Sequence, residues 1–243
     1  MKALVLAAGK STRISSVAGD APKPLLKLNG VPVLVYNLKL LKAHGVKHAW
    51  INLHYQGSLI KDEIGDGGKW GIGVQYSEEK ELLGTAGAVK KLEKEFKDGT
   101  FFVLYGDNLT NCDLTSLVIE HKKSKALGTV VVFDRKKTLN TGIAGGTVEL
   151  EGDGMIRRFV EGRSDDPAAA LHAELVNSGI YAFEPAILDH IPKGNSDFGK
   201  DVFPALLSKG LKLYAFRMEG GYCLGIDTPE TYLRAQEAVS RKQ

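Results

Sequence analysis

Near its start the chain reads Lys2-Ala3-Leu4-Val5-Leu6-Ala7-Ala8-Gly9-Lys10-Ser11-Thr12-Arg13, so a short apolar run leads straight into a loop of small residues. The run predicts a buried strand over residues 2–6. Small side chains leave the backbone N–H groups of the loop open to close approach, and Arg13 places a positive charge beside them. A second basic patch, Pro22-Lys23-Pro24, follows ten residues later. This combination predicts a loop that binds a phosphate chain.

Two common phosphate-binding motifs do not fit this loop. A Walker A motif needs a glycine five residues before the Gly-Lys pair, where this chain has Leu4. A dinucleotide fingerprint needs glycines at positions 11 and 14, which are Ser11 and Ile14. The alternative to a phosphate-binding loop is an ordinary turn at the edge of an α/β sheet.

Composition excludes several classes of protein. Hydrophobic residues make up 43% and charged residues 25% of the 243 residues, as in ordinary globular proteins. The net charge of +3 is spread along the chain, so nucleic-acid binding is not indicated. Cys112 and Cys223 lie far apart without CxxC spacing, which argues against structural zinc or a disulfide framework. No stretch is apolar enough for a signal-peptide core or a membrane span, and we expect a cytoplasmic protein without membrane partners.

Beyond the first strand, apolar periodicity predicts strands that alternate with helices. The predicted strands cover residues 49–53, 74–76, 101–105 and 129–133, and the predicted helices cover 33–44, 58–64, 86–96 and 114–125. This alternation predicts an α/β fold with a mostly parallel, Rossmann-like mixed sheet and helices on both faces. Ligands of such sheets bind at the carboxyl ends of the strands.

After Phe133 the pattern changes. It predicts a hairpin of residues 142–150 and 155–160, a polar loop over 161–173, strands over 176–183 and 211–216, a helix over 202–208 and a last helix starting at Thr228-Pro229. The strands of this part of the chain predict a smaller β lobe beside the main sheet.

Two aspartates lie at the ends of predicted elements. Asp107 follows the buried strand 101–105 directly, where it could hold Mg²⁺ on a triphosphate, although an Asp at such a position is also a common turn former. Asp227 lies just before the last helix, where it could cap the helix. Magnesium commonly takes only one or two protein carboxylates.

The loop Leu6–Arg13, with Pro22-Lys23-Pro24 behind it, resembles the signature of sugar-1-phosphate nucleotidylyltransferases, also called nucleotide-sugar pyrophosphorylases. The resemblance implies an enzyme that joins a nucleoside triphosphate to a sugar 1-phosphate with Mg²⁺ and releases pyrophosphate. It implies one domain over 1–243, with a nucleotide-binding portion (1–135), a sugar-phosphate-binding portion (136–227) and a C-terminal helix (228–243). The chain resembles the short form of the family, without a C-terminal β-helix.

The resemblance also implies roles for single residues. Arg13, Lys23 and Asp107 would be catalytic, and Asp107 and Asp227 would hold the metal. The residues implied for nucleotide binding are Leu6, Ala7, Ala8, Gly9, Lys10, Ser11, Thr12, Gly84, Thr85 and Gly106. Thr85 could instead serve as a plain helix N-cap.

On the sugar side, Gly142, Glu161 and Asn177 resemble the residues that contact the sugar. The family carries a lysine after the glutamate, where this chain has Gly162, and Arg163 could supply the missing charge. The form Leu83-Gly84-Thr85-Ala86-Gly87 resembles the guanylyl- and adenylyltransferase branches of the family more than the thymidylyl branch, and the resemblance implies GTP or ATP rather than a thymidine nucleotide.

Three other functions stay open or are disfavoured. The chain could transfer a nucleotide to another phosphorylated acceptor, or it could be a non-catalytic regulatory subunit that binds nucleotide sugars. A metal-dependent glycosyltransferase is disfavoured because position 109, which would complete an Asp-x-Asp, is Leu109. We expect a monomer or a homodimer.

Overall fold

The described part of the chain contains strands, α-helices and short turns of 3-10 or π-helix. The computed structural model describes residues 1–143, 145–161 and 175–241. The strands are β1 (Lys2–Leu6), β2 (Lys27–Leu28), β3 (Val31–Pro32), β4 (His48–Leu53), β5 (Gly73–Glu78), β6 (Phe101–Tyr105), β7 (Asn108–Thr110), β8 (Gly128–Asp134), β9 (Leu139–Asn140), β10 (Thr147–Leu150), β11 (Ile156–Val160), β12 (Leu175–Phe183), β13 (Leu213–Arg217) and β14 (Tyr222–Gly225). The helices are α1 (Ser15–Ala18), α2 (Val33–Ala43), α3 (Gly57–Ile64), α4 (Gly84–Lys91), α5 (Glu93–Phe96), α6 (Leu114–Ser124), α7 (Phe203–Ser208) and α8 (Pro229–Ser240).

The parallel half of the main sheet is organised around β1. This strand pairs in parallel with β4 on one side and with β6 on the other, and β4 pairs in parallel with β5. Ala3, Leu4 and Val5 are fully buried because helices cover both faces of the sheet. The carboxyl ends of these four strands therefore meet at one edge, as predicted for an α/β fold.

Strand β12 joins the second half of the chain to the same sheet. It runs antiparallel to β6 and to β8, and β8 pairs in parallel with β13. The hairpin β10–β11 attaches to the start of β12, which confirms the predicted hairpin around residues 151–154. The mixed α/β sheet predicted from the sequence is therefore confirmed.

A small second sheet brings distant parts of the chain together. Its order is β7-β14-β9, and β14 pairs antiparallel with β7, so that Gly225 lies opposite Asn108. The backbone N–H of Ile226 donates to the carbonyl of Asp107. Short strands with few apolar residues leave little periodicity, and the sequence pattern did not predict β7 or β9.

Helix boundaries agree with the sequence pattern except at one place. The predicted helix 86–96 is wrong in its bounds, because α4 already begins at Gly84 and ends at Lys91, and α5 starts again at Glu93. The predicted start of the last helix is confirmed: Thr228 caps α8 and forms a capping box with Thr231. Within the described ranges, no helix is long and apolar enough to cross a membrane.

A buried histidine ties α6 to the sheet. His121 is 1% exposed; its Nδ1 lies 2.8 Å from the Thr129 hydroxyl and its Nε2 lies 3.0 Å from Glu184 Oε1. These contacts fit a neutral ring that donates from Nε2 and accepts at Nδ1. Burial lowers the pKa of His121, and the nearby Lys122 acts in the same direction, whereas the Glu184 carboxylate opposes both.

This histidine predicts a loss of stability in acid. We expect the free energy of unfolding to fall as the pH drops from about 6.5 towards the lower pKa of the folded ring, because only the unfolded chain then readily binds the proton. The variant His121→Gln cannot titrate there. Urea unfolding of both proteins between about pH 5 and pH 8 should therefore give a stability difference that changes by at most about 1.4 kcal/mol per pH unit. Parallel stability curves for the two proteins would contradict the assignment.

Candidate active site

The carboxyl ends of β1, β4, β5 and β6 surround an open cavity of about 200 Å³. The residues that line it are Leu6, Ala8, Gly9, Asn52, Glu79, Leu82, Gly84, Thr85, Tyr105, Asp107 and Asp197. Six of them belong to the set that the sequence implied for nucleotide and metal binding. A larger cavity of about 510 Å³ lies between α6 and β13, and none of its described lining residues belongs to the predicted site.

The loop after β1 is held in a fixed shape by side chains. The N–H of Ala7 donates to Asn52 Oδ1 at 2.7 Å. Ser11 is buried in a left-handed backbone conformation (φ 57°), and its hydroxyl accepts a hydrogen bond from the N–H of Lys23 at 2.9 Å. A non-glycine residue adopts this conformation at a cost of about 1–2 kcal/mol, so its contacts must hold it there. The loop and the basic patch at Lys23 are therefore one structural unit.

The ammonium of Lys23 is shared between two carboxylates. Its Nζ lies 2.6 Å from Asp107 Oδ2 and 2.9 Å from Asp227 Oδ1. Burial favours loss of the Lys23 proton, but the charges and hydrogen bonds of the two carboxylates outweigh it, and together they raise the pKa of Lys23. Arg13, from a 3-10 turn over Thr12–Ile14, adds a second cation 2.9 Å from the same Asp227 oxygen.

The structure resolves two alternatives left open by the sequence. Asp227 does not cap the last helix, because Thr228 does so and the Asp227 carboxylate faces Lys23 and Arg13. Thr85 does not cap α4 either: it lies inside the helix, where its hydroxyl bonds Asp197 and accepts from the N–H of Phe198. Thr85 thus lines the cavity, and Asp227 belongs to the charge cluster at Lys23.

The far side of the cavity carries a polar chain that the sequence analysis missed. Asn52 Nδ2 donates to Glu79 Oε1 at 2.8 Å, and Glu79 Oε2 accepts from the N–H of Leu83 at 3.0 Å. Asn52 is 3% and Glu79 6% exposed. Each residue ends or follows a parallel strand, so a polar residue at that position was the signal that could have identified them.

Gly84 allows the segment at Ser196 to pack closely against the start of α4. Its φ is +71°, and a Cβ there would collide with the carbonyl of Ser196, which accepts hydrogen bonds from the N–H groups of Ala86 and Gly87. Gly106, at the end of β6, donates its N–H to the carbonyl of Leu6. These residues shape the cavity through the backbone. Lys10 and Thr12 are exposed residues of the loop after β1.

Of the described residues implied for sugar binding, none is among those that line the 200 Å³ cavity, and they range from exposed to buried. Glu161 follows β11, and its Oε2 is buried without a hydrogen-bond partner among the described residues. Asn177 is 4% exposed, and its side chain bonds the Tyr181 hydroxyl and the N–H of Gly179. Gly142 is exposed, with its N–H bonded to Asn140. Arg163 and Gly162 lie outside the described residues.

Burial is the main cause that raises the pKa of Glu161, and the charge of Asp197 adds to it. Lys200 acts in the opposite direction. The described residues contain no group of three or more His, Cys, Asp or Glu side chains placed to hold a metal. A metal at this site would therefore rest on the pair Asp107 and Asp227 with oxygen ligands from phosphate and water.

Fold and sequence together identify the family. The chain belongs to the nucleotidyl transferases, whose family model matches residues 2–242. This confirms the family indicated by the loop at residues 6–24.

Named relatives are sugar-phosphate enzymes. The chain is 35% identical to a UTP–glucose-1-phosphate uridylyltransferase of Synechocystis sp., covering 90% of this chain and 58% of that protein. It is 31% identical to a mannose-1-phosphate guanylyltransferase of Mycobacterium tuberculosis, covering 98% of this chain and 64% of the relative. The chain thus spans about three fifths of the length of these two proteins. The crystal structure of HddC from Yersinia pseudotuberculosis complexed with GMP-PN matches with a TM-score of 0.80 at 25% identity, covering 98% of this chain and 99% of the other.

Two glycines of the cavity should respond differently to alanine. Gly84→Ala should lower the free energy of unfolding by about 1–3 kcal/mol, because of its positive φ and its contact with Ser196. At Gly9 a Cβ meets no atom within 4 Å, so Gly9→Ala should change stability by less than about 0.5 kcal/mol. If the phosphates approach this loop as the sequence predicts, Gly9→Ala should nevertheless raise the Kd for a nucleotide about tenfold, since the added methyl would stand in their path. Chemical denaturation and calorimetric titration measure both effects. Unchanged nucleotide affinity in Gly9→Ala would contradict the placement of the phosphates.

Proposed function

We propose that the protein transfers a guanylyl group from GTP to a sugar 1-phosphate. An oxygen of the sugar phosphate attacks the α-phosphorus in line, the bond to the bridging oxygen of the β-phosphate breaks, and pyrophosphate leaves as GDP-sugar forms. The observation that carries the proposal is the cluster at the loop edge, where Lys23 and Arg13 meet Asp107 and Asp227. Such a reaction needs alignment and charge neutralisation rather than a protein nucleophile.

The paired aspartates fit Mg²⁺. Asp107 and Asp227 converge on one cation through carboxylate oxygens, the ligand type that Mg²⁺ prefers. When bound, the ion would neutralise charge on the phosphates of the nucleotide. The two side chains come from the end of β6 and from the residue before Thr228, so the β7–β14 pairing fixes their separation.

The cations have separate tasks. Lys23 is mostly buried (12% exposed) and anchored to the loop through Ser11, which suits it to hold the α-phosphate in line for attack. Arg13 is 62% exposed and can follow the departing pyrophosphate. The backbone of residues 6–12 receives the phosphate chain, and Gly84, Thr85 and Gly106 border the nucleoside. Glu161 and Asn177, with Gly142 and Arg163, serve the sugar phosphate.

Glu79 supports the choice of guanine. Both oxygens of its buried carboxylate are fixed by Asn52 and by the N–H of Leu83, and each retains acceptor capacity towards the cavity. Guanine offers two adjacent N–H donors on its Watson–Crick edge, which a carboxylate can accept together. Uracil and thymine offer one N–H between two carbonyl oxygens, which a carboxylate repels. The base choice therefore follows from acceptor chemistry at Glu79.

Pyrophosphate release tests the activity and the base choice together. With Mg²⁺, we expect release of pyrophosphate from GTP and a hexose or heptose 1-phosphate. In Glu79→Gln we expect the preference for GTP over UTP to fall about 10–100-fold, since an amide can pair with the uracil edge. The matched control is Glu78→Gln, because Glu78 is 70% exposed and bonded to Lys61. A preference for UTP in the unmodified protein would overturn the base assignment.

Substitution of Arg13 tests its proposed role in stabilising the leaving pyrophosphate. Arg13→Ala should lower kcat roughly a hundredfold or more while leaving the folded structure intact, because the developing charge on pyrophosphate loses its mobile cation. Circular dichroism and pre-steady-state rates separate the two effects. If no pair of substrates released pyrophosphate but nucleotide sugars bound tightly, the protein would be a regulatory subunit rather than an enzyme.

A further inference from the structure

A single polar residue interrupts the buried face of α2. The buried residues of this helix are Val33, Leu34, Val35, Asn37, Leu38 and Leu41, and all but Asn37 are apolar. Asn37 is 3% exposed. Burial of an amide is unfavourable unless the amide forms hydrogen bonds. An asparagine at this position therefore needs a reason beyond the packing of α2.

The amide of Asn37 faces the backbone on both sides of Asp107. Its Nδ2 donates to the carbonyl of Asn108 at 3.1 Å and makes a longer contact, 3.5 Å, with the carbonyl of Gly106. A third contact, 3.4 Å, is with the carbonyl of Val33, one turn earlier in α2. Because carbonyl oxygens only accept hydrogen bonds, the NH2 group is the end of the amide that faces them. One side chain thus bridges the carbonyls before and after Asp107.

The same segment is also held by two other parts of the fold. The N–H of Gly106 donates to the carbonyl of Leu6 at 2.9 Å. The carbonyl of Asp107 accepts from the N–H of Ile226 at 3.3 Å. The backbone that carries the Asp107 carboxylate is therefore held from three sides, by the end of β1, by the residue after β14 and by Asn37 of α2.

We propose that Asn37 is a positioning residue that sets where the Asp107 carboxylate stands relative to Asp227. It acts through the carbonyls of Gly106 and Asn108, and not as a ligand. The inference rests on the proposed transferase function, in which the two carboxylates hold Mg²⁺. This ion demands a nearly ideal arrangement of its oxygen ligands, so a small displacement of one of them weakens its binding. Groups that orient a metal ligand from outside the coordination sphere commonly account for about 10–100-fold in metal affinity.

The test is the substitution Asn37→Ser. A serine inside a helix bonds the carbonyl four residues before it, so this variant keeps a contact with Val33 and removes the two contacts beside Asp107. The readout is the Kd for GTP in calorimetric titration without sugar phosphate, measured once with Mg²⁺ and once with EDTA. We expect Mg²⁺ to tighten GTP binding by the unmodified protein. In Asn37→Ser this gain should fall about tenfold, with the Kd in EDTA unchanged.

Two further variants separate positioning from packing. Leu41→Ala opens a cavity in the same buried face of α2, one turn beyond Asn37. It should lower the melting temperature at least as far as Asn37→Ser does, yet leave the effect of Mg²⁺ on GTP binding intact, because the Asn37 amide stays in place. Asn37→Leu fills the volume with an apolar side chain and removes the donors, so it should reduce the Mg²⁺ effect as Asn37→Ser does.

The outcomes distinguish the inference from the proposed function. An unchanged Mg²⁺ effect in Asn37→Ser and Asn37→Leu would overturn the inference while the transferase function stands, and Asn37 would then serve stability alone. An equal loss of the effect in Leu41→Ala would overturn it as well, since any damage to α2 would then act in the same way. Absence of pyrophosphate release from every substrate pair in the unmodified protein would refute the proposed function itself.

Discussion

The site depends on one ammonium group placed between two carboxylates. Asp107 and Asp227 come from segments far apart in the chain, and at this separation their charges repel unless a cation lies between them. Lys23 provides it from a third segment, and the backbone N–H of Lys23 donates to the Ser11 hydroxyl in the loop after β1. The loop, the end of β6 and the start of α8 are therefore held in one arrangement by a single side chain. Removal of that side chain would leave the partly buried Asp107 carboxylate without its cation and Asp227 with only Arg13, which costs more than the lost contacts by themselves.

A rigid frame surrounds this charge cluster. The Asn52 side chain accepts from the N–H of Ala7 in the loop and donates to Glu79 after β5. These two hydrogen bonds join the loop to Glu79. Thr85 in turn links α4 to Asp197, which also lines the cavity. Chemistry that relies on alignment requires groups whose positions are set before substrate binds. The loop after β1, Glu79 and Asp197 are each held by side-chain hydrogen bonds to other parts of the chain.

Local patterns predicted the parallel strands and the loop because both are encoded by neighbouring residues. The apolar run before Gly9 and the capping hydroxyl at Thr228 belong to this class. The predicted helix 86–96 is interrupted at Leu92, whose backbone leaves the helical conformation (φ −95°, ψ 19°). The sequence analysis did not identify Asp197, since its place at the cavity depends on a contact with Thr85, 112 positions away. Glu79 and Asn52 could have been predicted, because they are polar residues at the carboxyl ends of predicted parallel strands. The pairing of β7 with β14 could not be predicted in this way, because it joins segments that are far apart in the chain.

The β7–β14 pairing also has a consequence for how the protein matures. Asp227 lies after β14, and residues 223–225 find their partners at 108–110, so the charge cluster forms only when most of the chain is available. Until then Lys23 and Asp107 lack the third member of the cluster. Contacts between residues this far apart in sequence form late, because the long stretch of chain between them must be closed at a cost in conformational entropy. A nascent chain still on the ribosome would hold a partly built sheet without a competent site, and ligand capture would mark the end of folding rather than guide its beginning.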